Sequence, residues 1–410
     1  MNLSTSNRHP ATTSNVGANA QRATSHAVDW RRVFGLREMG VYYALILLVA
    51  VLSAVTAYTG RPNYFSIINV TNVLYQASLI AIMAVAMTVI LITGNFDLSV
   101  ASVAALSAAV MIGLADSIGF VPAALVAMLV AVLAGVLNGA IVQLLGINAF
   151  IVTLGTLTAI RGVVLIVTDG RSLSVESVDT IAAMRAFESG RVPLGHAFVA
   201  LGIVLIAAAA LISLRAKRSD GTLGTRAPVV LGMLATGACV LALGWYGGER
   251  LAVAKPVIYM AVFTALVWFV LTFTNTGRRI YAVGGNAEAA RLSGINVGRY
   301  KMAGFILCSA AAGFGGILFG SRLGAINPTA FQGAELTVIA SAILGGTSLY
   351  GGAGSVIKTL CGALLLFTLT NGFNILNLGA NFQGVIEGSV VVVAAAIYTV
   401  GGTRRRARTR

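Results

Sequence analysis

Val121-Pro-Ala-Ala-Leu-Val-Ala-Met-Leu-Val-Ala-Val-Leu-Ala-Gly-Val-Leu-Asn-Gly-Ala-Ile-Val-Gln-Leu-Leu145 contains no charged residue. A helix of roughly 20 apolar residues crosses a bilayer, and this stretch exceeds that length. Gly135 and Gly139 within it have the spacing that lets helices approach closely, and Gly316 and Gly320 repeat the pattern. Working outward with a window of about 19 residues, further apolar runs fall near 41–59, 74–93, 98–115, 149–168, 196–214 and 228–247. Others follow near 256–275, 302–320, 336–350, 355–373 and 383–400. Gly or polar residues interrupt 98–115 and 336–350. The expected fold is therefore an all-α polytopic membrane protein of about 10–12 transmembrane helices, some of them broken.

Composition agrees. The chain is 57% apolar and 10% charged, against about 45–50% and about 25% in soluble domains. Little is left for an extramembrane domain. Residues 1–40, rich in Ser, Thr, Asn and Arg, read as a disordered cytoplasmic tail without a cleavable signal peptide. Residues 41–400 read as the transmembrane domain and 401–410 as a basic cytoplasmic tail. Cys239, Cys308 and Cys361 fall in separate apolar runs with no metal-ligand spacing, and read as small core residues.

The net charge of +15 is not a nucleic-acid footprint, because the basic residues lie between apolar runs rather than on one soluble face. They report topology instead. With twelve spans, one side of the membrane holds 19 of the 28 basic residues, in 1–40, 215–226, 276–301 and the C-terminal tail. The opposite side holds Arg61, Arg171, Arg185, Arg191, Arg250, Lys255 and Arg322. By the positive-inside rule both termini are cytoplasmic.

Several chemistries find no residues. A phosphate loop needs Gly-Lys-Ser/Thr, and none of the four lysines follows a glycine. No nucleophile, base and acid constellation points to an enzyme. Ionisable residues for ion coupling reduce to Asp97, Arg161 and Glu387. For Arg161 and Glu387 a structural ion pair competes with a proton relay.

Among the inside loops, 277–300 is the one that asks for a partner. Asn286 suits a helix N-cap, Ala287 to Leu292 favour a helix of about two turns with Glu288 in its first turn, and Gly294 suits a left-handed close. Such a helix is marginal alone. Its small face (Ala287, Ala289, Ala290) could seat in another protein's groove while Glu288 and Arg291 meet its rim; an ordinary connecting loop is the alternative.

Two stretches then become familiar. Gly284-Gly-Asn-Ala-Glu-Ala-Ala-Arg-Leu-Ser-Gly-Ile-Asn-Val297 and Ile343-Leu-Gly-Gly-Thr-Ser-Leu-Tyr-Gly-Gly-Ala-Gly-Ser355 closely resemble the permease subunits of bacterial monosaccharide ABC importers, the ribose, arabinose and xylose group. Thr93-Gly-Asn-Phe-Asp-Leu-Ser-Val100 is similar to the family's Gly-Gly-Ile-Asp-Leu-Ser-Val-Gly, with Asn95 and Ala101 in place of glycines. Ser321-Arg-Leu-Gly-Ala325 and the extra apolar pair around 196–247 look most like the xylose-type permeases.

The resemblance implies an inner-membrane permease that moves a monosaccharide by alternating access and has no ATPase site or cofactor of its own. ATP–Mg is bound by a partner ATPase, a periplasmic sugar-binding protein delivers the substrate, and a second permease copy completes the path. It implies that Gly285, Asn286, Glu288, Ala289, Ala290, Arg291 and Gly294 form the coupling helix that docks on the ATPase. An ion-coupled secondary transporter and a branched-chain amino-acid ABC permease are the competing readings. Where the family shows a basic residue, Glu387 stands here, so no shared role is assigned to it.

Transporter sites favour broken helices at matched positions, and the breaks here are Gly94 to Ser102 and Gly345 to Gly354. Asn95, Asp97, Ser99 and Ser102, with Thr347, Ser348 and Tyr350, are the candidates for the translocation path. Capping of the broken helices explains the same residues equally well. Asn138, Gln143, Asn371 and Asn374 are lesser polar candidates. On the outside, 169–195 and 321–335 are the expected docking loops for a binding protein.

Overall fold

A computed structural model describes residues 36–219, 227–248, 252–378, 384–385 and 388–389. All but 384–385 and 388–389 of the span expected at 383–400, Glu387, and both tails apart from 36–40 lie outside the described residues. Within the described residues ten helices are long and apolar enough to cross a membrane.

In chain order they begin with α1 (Leu36–Tyr58), α2 (Ile67–Ile92), α3 (Val100–Ile118), α4 (Phe120–Leu144) and α5 (Ala149–Val167). A short ribbon strand β1 (Leu173–Ser174), helix α6 (Val178–Glu188) and β2 (Arg191–Pro193) follow. Then come α7 (Gly195–Ser219), α8 (Ala227–Gly247), β3 (Ala252–Ala254), α9 (Lys255–Phe273), α10 (Asn275–Gly285) and α11 (Ala287–Leu292). The remainder is α12 (Val297–Leu323), β4 (Ala325–Ile326), α13 (Ala334–Leu344) and α14 (Val356–Leu376).

The bundle is built around α2, which is buried at every position from Ala81 to Ile92. A helix apolar on all sides belongs in such a place. Helices α9, α12, α13 and α14 pack on it, and α3 and α4 pack on α12. The seams depend on glycine. A Cβ on Gly316 of α12 would lie 2.1 Å from the Ala104 carbonyl oxygen on α3, and one on Gly135 of α4 would meet Phe305 O at 2.8 Å. Backbones so close gain dispersion along the whole crossing. Outward faces carry Leu125, Leu129 and Leu133 on α4, and Ile46 and Leu47 on α1, all exposed, as a lipid-facing surface requires.

One end of the bundle carries the small ribbons. Leu173 pairs with Ile326, and Arg191 with Ala254, both antiparallel. Asp116 at the end of α3 accepts hydrogen bonds from Glu176 N and Ser177 N, which fixes the start of α6. The stretch 169–195, expected as a loop, thus contains a helix and two strands. Helices α7 and α8 pack chiefly on each other, and β2 and β3 strap the base of this hairpin. Cys308 is buried, but Cys239 on α8 is exposed because the hairpin turns that face outward, which corrects its reading as a core residue.

The run expected at 336–350 is helical only over the 11 residues of α13. That is about 16 Å of rise, too little to cross alone. The chain reaches α13 by dipping inward at 327–333, and Arg161 of α5 donates to the Ala330 carbonyl at 2.7 Å. An in-span arginine is costly without a partner; here the backbone of the dipping segment supplies one, with Phe331 in the left-handed region (φ 60°).

Candidate coupling helix and broken segments

At the end opposite the ribbons, α9 is followed by two helices instead of a loop. Thr274 caps α10 through Gly277 N at 3.3 Å. Asn286 caps α11, its Oδ1 accepting from Glu288 N at 3.1 Å and Ala289 N at 3.0 Å. Gly294 closes α11 with φ 79°, and Asn296 then caps α12 through Arg299 N at 3.1 Å. Three caps in a row explain why a six-residue helix holds its shape.

The inner face of α11 is used internally. Ala290 is buried against Val283 and Val297, with Ala287, Ile295 and Tyr300 around them. The face expected to seat in a partner's groove therefore needs correction: Ala287 and Ala290 anchor α11 to its own chain, because they lie on the side that faces α10 and α12. What α11 presents outward is Glu288, Ala289, Arg291 and Leu292, and beyond it Gly294; Gly285 and Asn286 are exposed before it. Leu292, not singled out in the sequence, is 86% exposed. The sequence counts it only as a helix former; the helix phase places it outside.

The segment between α2 and α3 holds Asn95, Asp97 and Ser99, and Ser102 follows in the first turn of α3. Asp97, Ser99 and Ser102 are fully buried and Asn95 nearly so. Ser99 donates through Oγ (2.6 Å) and N (3.0 Å) to Asp97 Oδ1. Asn138 of α4 donates to Ser99 Oγ at 2.8 Å, Ser102 to Ser99 O at 2.8 Å, and Asn95 to Thr93 Oγ1 at 3.1 Å. Asp97 Oδ2 and Asn138 Oδ1 remain buried without a hydrogen-bond partner. The remaining candidates stand apart. Thr347 is buried near Thr359, Ser348 Oγ accepts from Tyr350 N at 3.2 Å, and Tyr350 is 94% exposed. The two sets do not line one cavity. Their flanking glycines nevertheless meet, and both segments touch α10. Tyr281 of α10 donates to Gly354 O at 2.8 Å, and burial pushes its phenol above the ordinary tyrosine range.

At the ribbon end a second polar centre joins residues far apart in sequence. Glu188 of α6 is fully buried; it pairs with Arg322 of α12, and Tyr75 of α2 donates to its Oε2 at 2.9 Å. Arg322 stands in the Ser321–Ala325 stretch that carries the resemblance, but nothing in the sequence pairs it with Glu188. Among the described residues no group of three or more His, Cys, Asp or Glu is placed to hold a metal ion.

No solved structure matches the chain. Among curated proteins, the ribose import permease protein RbsC of Escherichia coli (strain K12) is 34% identical, covering 91% of this chain and 98% of its own. The xylose transport system permease protein XylH of the same strain is 33% identical, over 91% of this chain and 95% of its own. The D-allose transport system permease protein AlsC of that strain is 29% identical, over 88% and 91%. A family model described as the permease component of the branched-chain amino acid transport system matches residues 69–395. With ten candidate spans and this match across most of its length, the chain is a multi-pass membrane protein that belongs to that permease family.

Proposed function

We propose that the chain is the membrane-spanning subunit of an ATP-driven importer that passes a monosaccharide into the cytoplasm by alternating access. The observation that carries this is α11. It is a capped helix outside the spans, pinned by Ala290, that turns Glu288, Ala289, Arg291 and the apolar Leu292 outward. A single exposed leucine is ordinary surface; what fits a docking role is a capped helix held outward from the spans in a chain of this permease family. In this reading the partner is a cytoplasmic ATPase that binds ATP–Mg and hydrolyses it, so no cofactor sits on this chain. The termini then lie on the cytoplasmic side with α11, in keeping with the basic-residue bias of the sequence.

The substrate class is drawn from the relatives named for ribose, xylose and allose; a pentose such as xylose is the finer proposal. A periplasmic sugar-binding protein would dock at the ribbon end, over α6 and 321–335. A second copy of the chain would cover α5, whose Gly155, Thr158 and Gly162 are open or exposed within a span. Small residues there favour a helix neighbour over lipid. Asn95, Asp97, Ser99 and Ser102 would shape the gate of the path, with Thr347, Ser348 and Tyr350 at its cytoplasmic mouth. The two oxygens without a hydrogen-bond partner support that role, since buried polar atoms are ordinarily satisfied.

The test joins capture to transport. The full chain is co-purified with the ATPase subunit of its transporter as wild type, Glu288→Arg and Gly294→Trp, and uptake of labelled D-xylose, D-ribose and D-allose is measured with L-leucine alongside. Loss of capture in the folded variants, with sugar uptake by wild type, supports the reading. Capture indifferent to both changes overturns the docking site, and leucine uptake alone returns the chain to amino-acid transport, which the family description names.

A further inference from the structure

Helix α10 lies between the proposed docking helix and the two broken segments, and it touches both without freedom to slide. Toward α11, Val283 is buried with Ala290 and Val297. Toward the bundle, Ile280 packs with Val85, Val89 and Ile92 of α2 and with Val356 of α14. The closest approach is backbone on backbone. A Cβ on Gly284 would lie 1.6 Å from the Ile92 carbonyl oxygen and 2.7 Å from Gly352 N. That same Ile92 oxygen accepts a hydrogen bond from Gly352 N at 2.9 Å. Gly351 completes the meeting: a Cβ there would fall 2.7 Å from Gly284 O and 3.0 Å from the Gly94 Cα. Gly94, Gly351 and Gly352 have φ of 80°, 84° and 72°, where side chains are strained.

Three chain segments therefore converge on one carbonyl group. Ile92 is the last residue of α2 before the break at 93–99, Gly352 belongs to the break at 345–355, and Gly284 lies in the last turn of α10, which leads into α11. A packed contact with no slack passes displacement on. Side-chain contacts could absorb a shift of a fraction of an ångström by changing rotamer; a backbone contact at van der Waals limit has no rotamers to change. The Tyr281 hydroxyl adds a directional tie from α10 to Gly354 O.

We propose that Gly284, Ile92 and Gly352 form a glycine joint that transmits movement of α11 to both broken segments at once. Gly284 and Gly352 are thus positioning residues, acting through Ile92. This rests on the reading of α11 as the ATPase-docking helix. The joint explains why two breaks distant in sequence carry glycine at the same place in space: both must meet a third backbone.

Hydrogen exchange on the full chain in complex with its ATPase tests this without a sugar. On addition of ATP and vanadate, wild type is expected to change exchange at 287–294, at 93–99 and at 346–354 together. In Gly284→Ala the added methyl separates the segments, so the change at 287–294 persists while those at 93–99 and 346–354 fall at least threefold. Tyr281→Phe, which keeps the close approach and loses one hydrogen bond, is expected to weaken the response at 346–354 and serves where Gly284→Ala does not fold. The joint is overturned if wild type responds at 287–294 and not at the breaks, or if the variants transmit within twofold of wild type. Absence of any response at 287–294 when the ATPase is present instead overturns the docking reading, and the joint falls with it.

Discussion

Arg322 Nε lies 2.7 Å from Glu188 Oε1, and this pair ties the end of α12 to the end of α6. The carboxylate also accepts from Tyr75 and from Ser189 Oγ, both at 2.9 Å. The guanidinium sits 3.9 Å from the Tyr75 ring centroid and donates through Nη2 to Tyr75 O at 3.3 Å. Three elements thus share one buried charge, and its removal from either side has different consequences.

Arg322→Met strands the buried Glu188 carboxylate, and breaking a buried pair from one side costs about 3–5 kcal/mol. Glu188→Gln in the same background removes the stranded charge. Thermal unfolding in detergent is expected to rank the single Arg322→Met lowest and the double variant between it and wild type; equal losses in both would show that the charge itself is not what matters.

Asn286→Ala removes the cap shared by Glu288 N and Ala289 N, a loss of about 1 kcal/mol. For a six-residue helix that is a large share of its stability. Amide exchange over 287–292 is expected to rise severalfold and capture of the ATPase to fall with it, while Asn286→Asp, which keeps an accepting oxygen, retains both.

Gly316→Leu forces α12 away from Ala104, where even a Cβ would sit at 2.1 Å. The variant is expected to lose the monodisperse peak in size-exclusion chromatography. Gly232→Ala in the hairpin meets nothing within 4 Å and serves as the comparison that keeps it.

Tyr64, in the connection between α1 and α2, is buried and donates to Thr368 O at 2.8 Å. Burial pushes its phenol up to about 12, above the unfolded value near 10. The neutral form is the one the fold holds. Its contribution is complete below about pH 10 and is lost as pH rises toward about 12, because the unfolded chain releases its proton first. Tyr64→Phe is expected to flatten that part of a stability profile while lowering neutral-pH stability by about 1 kcal/mol.

Apolar length made the spans legible, and the ten candidate helices fall where uncharged runs predict them. Local capping chemistry was legible too: Asn286 and Gly294 sit at the two ends of α11. Helix α10 was not, because Asn275-Thr-Gly-Arg-Arg lacks an apolar run and takes its helical form from Thr274 and from packing on α2. The Glu188–Arg322 pair spans 134 residues of sequence, and no local pattern connects such partners. The sequence alone leaves the direction of Ala287 and Ala290 open, since a small residue fits a partner's groove and a neighbour's equally well; the phase of α11 against α12 decides it. Asp97 and Ser99 were recognisable as special, yet their mutual hydrogen bonds, and not an open cavity, are what the fold builds from them.

The ribbon at the base of the α7–α8 hairpin places the entry and exit of that hairpin side by side, with Pro193 opposite Ala252. A segment whose two ends are already hydrogen-bonded neighbours is topologically a cassette. Cutting it out and closing the gap with a tight turn would ask nothing of the helices around α2, and splicing another sequence in at the same place would ask as little. Lineages of this permease could therefore gain or shed a pair of crossings without reversing the sidedness of anything downstream.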